Sequence, residues 1–153
     1  MKEAAMNRRS FLMLTLSVAV MPLAPVWAAE SIHVLKTSGC GCCSAWITHL
    51  RKAGFQVTAK DVPMAALNQE KLSAGLTPEL SSCHTARVDG YVIEGHVPAG
   101  DIRRLLHERP AALGLTVPGM PVGSPGMETG DPEAYEVLLF SRDGTTSVYS
   151  RYS

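Results

Sequence analysis

Thr37-Ser38-Gly39-Cys40-Gly41-Cys42-Cys43-Ser44 holds three of the chain's four cysteines within four positions. It follows the apolar run Ile32-His33-Val34-Leu35 and precedes a segment with helical periodicity, Ala45 to Ala53. A strand that ends in a glycine-containing turn and opens a helix leaves backbone N–H groups unsatisfied at the helix N-terminus, where they and the helix dipole favour thiolates. Cys40 and Cys43 have the Cys-x-x-Cys spacing that closes a disulfide or chelates one metal. Cys42 is a surplus thiol that a simple redox pair does not need, and it points towards metal.

On either side of this stretch the hydrophobic pattern alternates between strand and helix. Ile32 to Lys36 reads as a buried first strand, and Ala45 to Ala53 as a helix with Ala45, Ile47 and Leu50 on its apolar face, Trp46 at the margin and Gly54 as the stop. Phe55 to Ala59 alternates as a second strand, and Pro63 begins a second helix that passes through Leu67 and Leu72 to Gly75. Such a strand-helix-strand unit predicts parallel strands with a right-handed crossover. Beyond Thr77-Pro78, His84 to Val88 and Tyr91 to Glu94 flank Asp89-Gly90, a hairpin signal. Pro98 then suits the first turn of a third helix, Ala99 to Glu108, with Ile102, Leu105 and Leu106 on its apolar side and Pro110 as terminator. Val117 to Glu128 is too rich in Pro and Gly for a regular element. Tyr135 to Phe140 and Thr145 to Tyr152 flank Arg142-Asp143-Gly144 as a terminal hairpin that extends or covers the sheet. The fold class expected is α/β, a thioredoxin-like core with a mixed β-sheet plus a C-terminal β-hairpin. In that core the third strand starts at the edge where the first ends, and the fourth returns to it. Cys83, His84 and His96 are thereby brought towards Cys40, Cys42 and Cys43.

The 153 residues carry a formal net charge of zero. Asn7 to Leu12 is a basic n-region, Phe11 to Val20 an apolar h-region, and Val26-Trp27-Ala28 offers the small residues that a signal peptidase reads. Residues 1–28 are therefore expected to be a signal peptide cleaved near Ala28, with residues 29–153 a single exported domain, periplasmic in location. Arg8-Arg9 before Ser10-Phe11-Leu12 fits either twin-arginine or ordinary secretory export. The apolar run is too short and too Pro-broken for a stable membrane span in the mature form. The mature chain has a net charge of −2 and no basic patch, which speaks against nucleic acid.

An oxidising compartment favours structural disulfides, yet three clustered thiols staple little. Soft thiolates select Cu(I), zinc or iron–sulfur clusters, and Cys83 is the natural fourth thiol. His84 adjoins Cys83, and neighbours in a strand point to opposite faces, so both ligate only where the chain is irregular. His96 is a parallel candidate, whereas His33, His49 and His107 do not cluster and read as surface or structural residues. Met120 and Met127 sit in the stiff Pro-Gly loop, and thioethers bind Cu(I) well and zinc poorly.

Cys40-Gly41-Cys42-Cys43, Ser82-Cys83-His84-Thr85-Ala86, Glu94-Gly95-His96-Val97-Pro98-Ala99 and Pro118-Gly119-Met120-Pro121 through Ser124-Pro125-Gly126-Met127-Glu128 together resemble the CopG-type family. These are small exported bacterial proteins of thioredoxin-like fold associated with copper resistance. The resemblance runs over nearly all of the mature chain. It implies copper bound through the cysteine motif and the later cysteine, and copper redox handling. The expected ligand set is Cys40, Cys42, Cys43 and Cys83, with His84, His96, Met120 and Met127 as further candidates. More than one copper ion, zinc as the alternative metal, and other periplasmic copper-handling proteins as partners complete the expectation. The competing functions are a thiol-disulfide oxidoreductase using Cys40 and Cys43, and a disulfide-stabilised binding domain.

Overall fold

The structure is a computed structural model that describes residues 30–153. The expected leader, residues 1–28 with cleavage near Ala28, lies outside these residues. The elements are β1 (Ser31–Lys36), α1 (Gly41–Lys52), β2 (Gln56–Asp61), α2 (Met64–Ser73), β3 (His84–Val88), β4 (Tyr91–Glu94), α3 (Ala99–Glu108), β5 (Gly114–Thr116), β6 (Tyr135–Phe140) and β7 (Thr146–Tyr152). A single 3-10 turn, Pro78–Leu80, precedes β3. Among the described residues no helix is long and apolar enough to cross a membrane.

One mixed sheet runs in the order β2-β1-β3-β4-β5-β6-β7. β1 is parallel to β2 and antiparallel to β3, and β3 is antiparallel to β4, as the thioredoxin-like core requires. The register pairs Lys36 with His84, so the start of β3 lies beside the end of β1. That edge is where α1 begins.

α1 and α3 supply Trp46, Ile47, Leu50, Ile102, Leu105 and Leu106 to the main core, where they meet Ile32, Val34, Ala86 and Ile93 of the sheet. Fully burying side chains of this size contributes about 1.5–3 kcal/mol each. The buried positions of α1 are Cys43, Trp46, Ile47 and Leu50, an i, i+3, i+4, i+7 stripe. Ala45, expected on the apolar face, is exposed because this stripe does not include it. The helix also starts at Gly41, four residues earlier than its periodicity suggests, which puts Cys42 and Cys43 in the first turn and Cys40 at the N-cap. Pro98 occupies the N-cap of α3 rather than its first turn.

β5 is an addition that periodicity could not reveal. Its three residues pair in parallel with β4 and antiparallel with β6, so the terminal hairpin extends the sheet rather than covering it. Gly114 opens β5 so close to β4 that a Cβ there would overlap the Val92 carbonyl.

Candidate metal centre

The four cysteines and two histidines expected to converge do converge. Among the described residues, Cys40, Cys42, Cys43 and Cys83 offer ligand atoms within 4.8 Å of one another, and Cys83, His84 and His96 form a second such group. Cys83 belongs to both.

Each side chain arrives by a separate route. Cys40, Cys42 and Cys43 come from the turn between β1 and α1, with Cys43 fully buried. Cys40 and Cys43 are joined by a disulfide, while Cys42 and Cys83 are free and half-buried. Cys42 Sγ lies 3.6 Å from Cys40 Sγ, 3.9 Å from Cys83 Sγ and 3.9 Å from Met120 Sδ. Cys83 sits in a bend just before β3, and that irregularity lets adjacent residues face the same space. Its sulfur is 3.2 Å from His84 Nδ1 and 3.1 Å from His96 Nε2.

Met120 is delivered by the Pro-Gly-Met loop. A single parallel bridge pairs Ser82 with Gly119, so Cys83 and Met120 each follow directly on a bridged residue. Met120 is exposed, and Met127 is half-buried further along the same loop. The sulfur contacts reach Met120 and do not include Met127. The three remaining histidines stay apart from the cluster: His33 hydrogen-bonds Thr58, His49 Nε2 accepts from the Ala99 amide, and His107 is exposed.

Hydrogen bonding and burial prepare the imidazoles as neutral donors. His96 Nδ1 donates to the Pro125 carbonyl at 2.9 Å, which leaves the Nε2 lone pair facing Cys83. Burial lowers the His96 pKa. His84 is fully buried against Trp46, ring centroids 4.3 Å apart, and its pKa falls to about 3 through burial, then His96 and Lys71. His84 Nε2 is buried without a hydrogen-bond partner. Cys83 departs from the thiolate expected of this corner: burial first and Cys42 second push its thiol up to about 12. A metal binding here has to expel that proton.

Taken together, soft sulfur donors surround Cys42 and borderline nitrogen donors surround Cys83, a set suited to Cu(I) or zinc. A cleft of about 390 Å³ between α2 and the segment Pro78 to Cys83 reaches the site only through Cys83. Sequence reasoning missed three supporting groups: Trp46 over His84, the Pro125 carbonyl behind His96, and the buried pair Lys71 and Glu94 behind Cys83. The last pair left a signal. Lys71 falls four residues after Leu67 on a helix, and Glu94 two after Val92 on a strand, both positions where an apolar residue is expected.

The chain is similar to two solved structures of a copper resistance protein. One, "Copper resistance protein copG- Form 2", is 46% identical with a TM-score of 0.76, the match covering 82% of this chain and 100% of that one. The other, Form 1 of the same protein, is 44% identical with a TM-score of 0.75, covering 82% of this chain and 98% of that one. Residues 80–127 match a family described as "Protein of unknown function, DUF411". No curated protein matches the sequence.

Proposed function

This chain belongs to the CopG copper resistance family, and from that premise we propose that it is an exported copper-binding protein that sequesters copper or carries it between Cu(I) and Cu(II). One observation carries the reading: Cys42 Sγ has two thiol or disulfide sulfurs and a thioether within 3.9 Å, and Cys83 adds two imidazoles. With the Cys40–Cys43 disulfide reduced, Cys40, Cys42, Cys43 and Cys83 are the principal ligands, His84, His96 and Met120 complete the set, and Met127, half-buried on the same loop, is the weaker candidate. Thiolates bridge metal ions, so the crowded donors suit more than one Cu(I). Thioether and imidazole within one site accommodate both oxidation states.

The disulfide gives the redox half of the proposal a stoichiometry. Reduced Cys40 and Cys43 can pass two electrons to two Cu(II), yielding two Cu(I), the Cys40–Cys43 disulfide and two protons. A dithiol reductant then restores the pair. Periplasmic copper-handling proteins are the partners this implies. Anaerobic titration of the reduced protein with Cu(I) and with zinc, read by metal analysis after chelator competition, tests the metal. Preferential retention of zinc defeats the copper reading.

The bonded Cys40–Cys43 pair at the N-terminus of α1 favours one second reading, a thiol-disulfide oxidoreductase. Catalysis of disulfide exchange at thioredoxin-like rates, with no response to copper, would establish it.

A further inference from the structure

Cys83 and His84 face one space although they are neighbours at a strand end, and a bend of this kind needs a fixed backbone on both sides. Glu94 provides it from the opposite face of the sheet. In the register of β3 and β4, Ala86 pairs with Ile93 in the main core, whereas Thr85 pairs with Glu94 on the alternate face, towards α2. The Glu94 carboxylate is wholly buried. It accepts the Ser82 amide at 2.6 Å on Oε1 and the Thr85 hydroxyl at 2.6 Å on Oε2. One side chain thus grips the residue before Cys83 and the residue after His84.

A lone carboxylate could not be held there, because a buried charge is costly unless paired. Burial raises the Glu94 pKa and Lys71 opposes that shift. Lys71, 7% exposed on α2, forms an ion pair with Glu94 Oε1 and donates to Thr85 Oγ1 at 3.0 Å. Replacing a buried ion pair by neutral groups of similar shape is often tolerated, whereas removing one partner is not. Stability alone therefore does not account for the pair, and its contacts with Ser82 and Thr85 give it a geometric role.

We propose that Glu94, neutralised by Lys71, is a positioning residue of the copper site, fixing the Ser82 to Thr85 bend that aims the Cys83 thiol and the His84 ring at a common ligand space. The inference rests on the copper reading above, and its geometry is testable without copper. In a Cys40→Ser/Cys43→Ser background the only thiols are Cys42 and Cys83, whose sulfurs lie 3.9 Å apart. Diamide takes up the two thiol hydrogens and closes a Cys42–Cys83 disulfide, and thiol labelling follows the rate in metal-free protein. Adding Glu94→Ala is expected to slow closure about tenfold, since small misplacements of reacting groups cost rate steeply. Lys71→Met/Glu94→Gln keeps an acceptor for Ser82 and a donor for Thr85 without charge, and is expected to restore the parental closure rate and, with Cys40 and Cys43 intact, to keep the wild-type copper count. Parental closure in Glu94→Ala overturns the proposal, as does a double variant that closes slowly or fails to fold. If Glu94→Ala itself does not fold, the double variant decides. The expected closure kinetics, together with a protein that keeps Cys40 and Cys43 yet ignores copper, would instead defeat the copper reading and leave the positioning role standing.

Discussion

Gly126→Ala should destabilise the protein and loosen the proposed copper site together. Gly126 has φ +94°, and a Cβ there would meet the Cys42 carbonyl oxygen and the Trp46 nitrogen at 2.8 Å, with Trp46 Cα at 3.3 Å. Holding an L-residue in such a sparsely populated conformation costs about 1–3 kcal/mol. The atoms it would strike belong to the first turns of α1, whose backbone is fixed by the helix ladder, so the loop has to retreat. Pro125, one residue earlier, carries the carbonyl that holds His96 Nδ1. Losing that hydrogen bond costs about 0.5–1.5 kcal/mol net. The sum is about 1.5–4.5 kcal/mol, which for a chain of this size lowers Tm by roughly 5–15 °C. Thermal unfolding of the reduced, metal-free protein by circular dichroism measures the first effect, and Cu(I) competition titration measures the second as weaker affinity. An unchanged Tm with parental copper affinity would refute the contact between loop and α1.

Cys42→Ser should lower the copper count per chain, because Cys42 is the sulfur that adjoins Cys40, Cys83 and Met120, while any disulfide reductase activity of Cys40 and Cys43 survives; equal copper content in both proteins by metal analysis contradicts this. Met120→Leu keeps bulk at a side chain that is 49% exposed, so Tm should hold while Cu(I) affinity falls; unchanged affinity removes the thioether from the site. Metal-free stability should fall as pH drops below about 6.5, the unfolded histidine value, because His84, His96 and His49 all have lowered folded pKa values and the unfolded chain takes up more protons. His84 alone contributes a slope of about 1.4 kcal/mol per pH unit down to its folded value, with Glu94, whose pKa is raised, acting in the opposite sense once it protonates. Urea midpoints at pH 7 and 5.5 check this, and a higher midpoint at the lower pH would reverse the sign.

Where signals were local, the chain was legible. β3 and β4 read true because Asp89 and Gly90 take φ 46° and 87°, the left-handed pair that a tight hairpin demands. α3 read true because Pro98 and Pro110 bracket one strongly amphipathic face. β5 could not be read: three residues beginning with glycine have no period, and they form a strand only because β4 and β6 lie on either side. The start of α1 was obscured by the glycine and cysteine content of its first turn, where tertiary packing of Cys43 overrides weak helix propensity. The meeting of Cys40, Cys42 and Cys43 with Cys83 followed from strand order alone. Nothing in the spacing of Cys42 and Met120 foretold their contact, which depends on a bridge between residues 37 positions apart, Ser82 and Gly119.

Ser82 and Gly119 run side by side for one residue, and each hands on at once to a sulfur-bearing side chain. The two segments behave as the tines of a fork whose gap is the ordinary strand spacing, about 4.8 Å. Insertion of one residue between Thr116 and Gly119 would rotate the thioether tine to the far side of its pleat. The same insertion among residues 129–131, which are exposed, would only lengthen a surface turn. Length variation that leaves the sulfurs in step is thereby confined to the stretch after Met127, and the span from β5 to Met120 behaves as a fixed ruler.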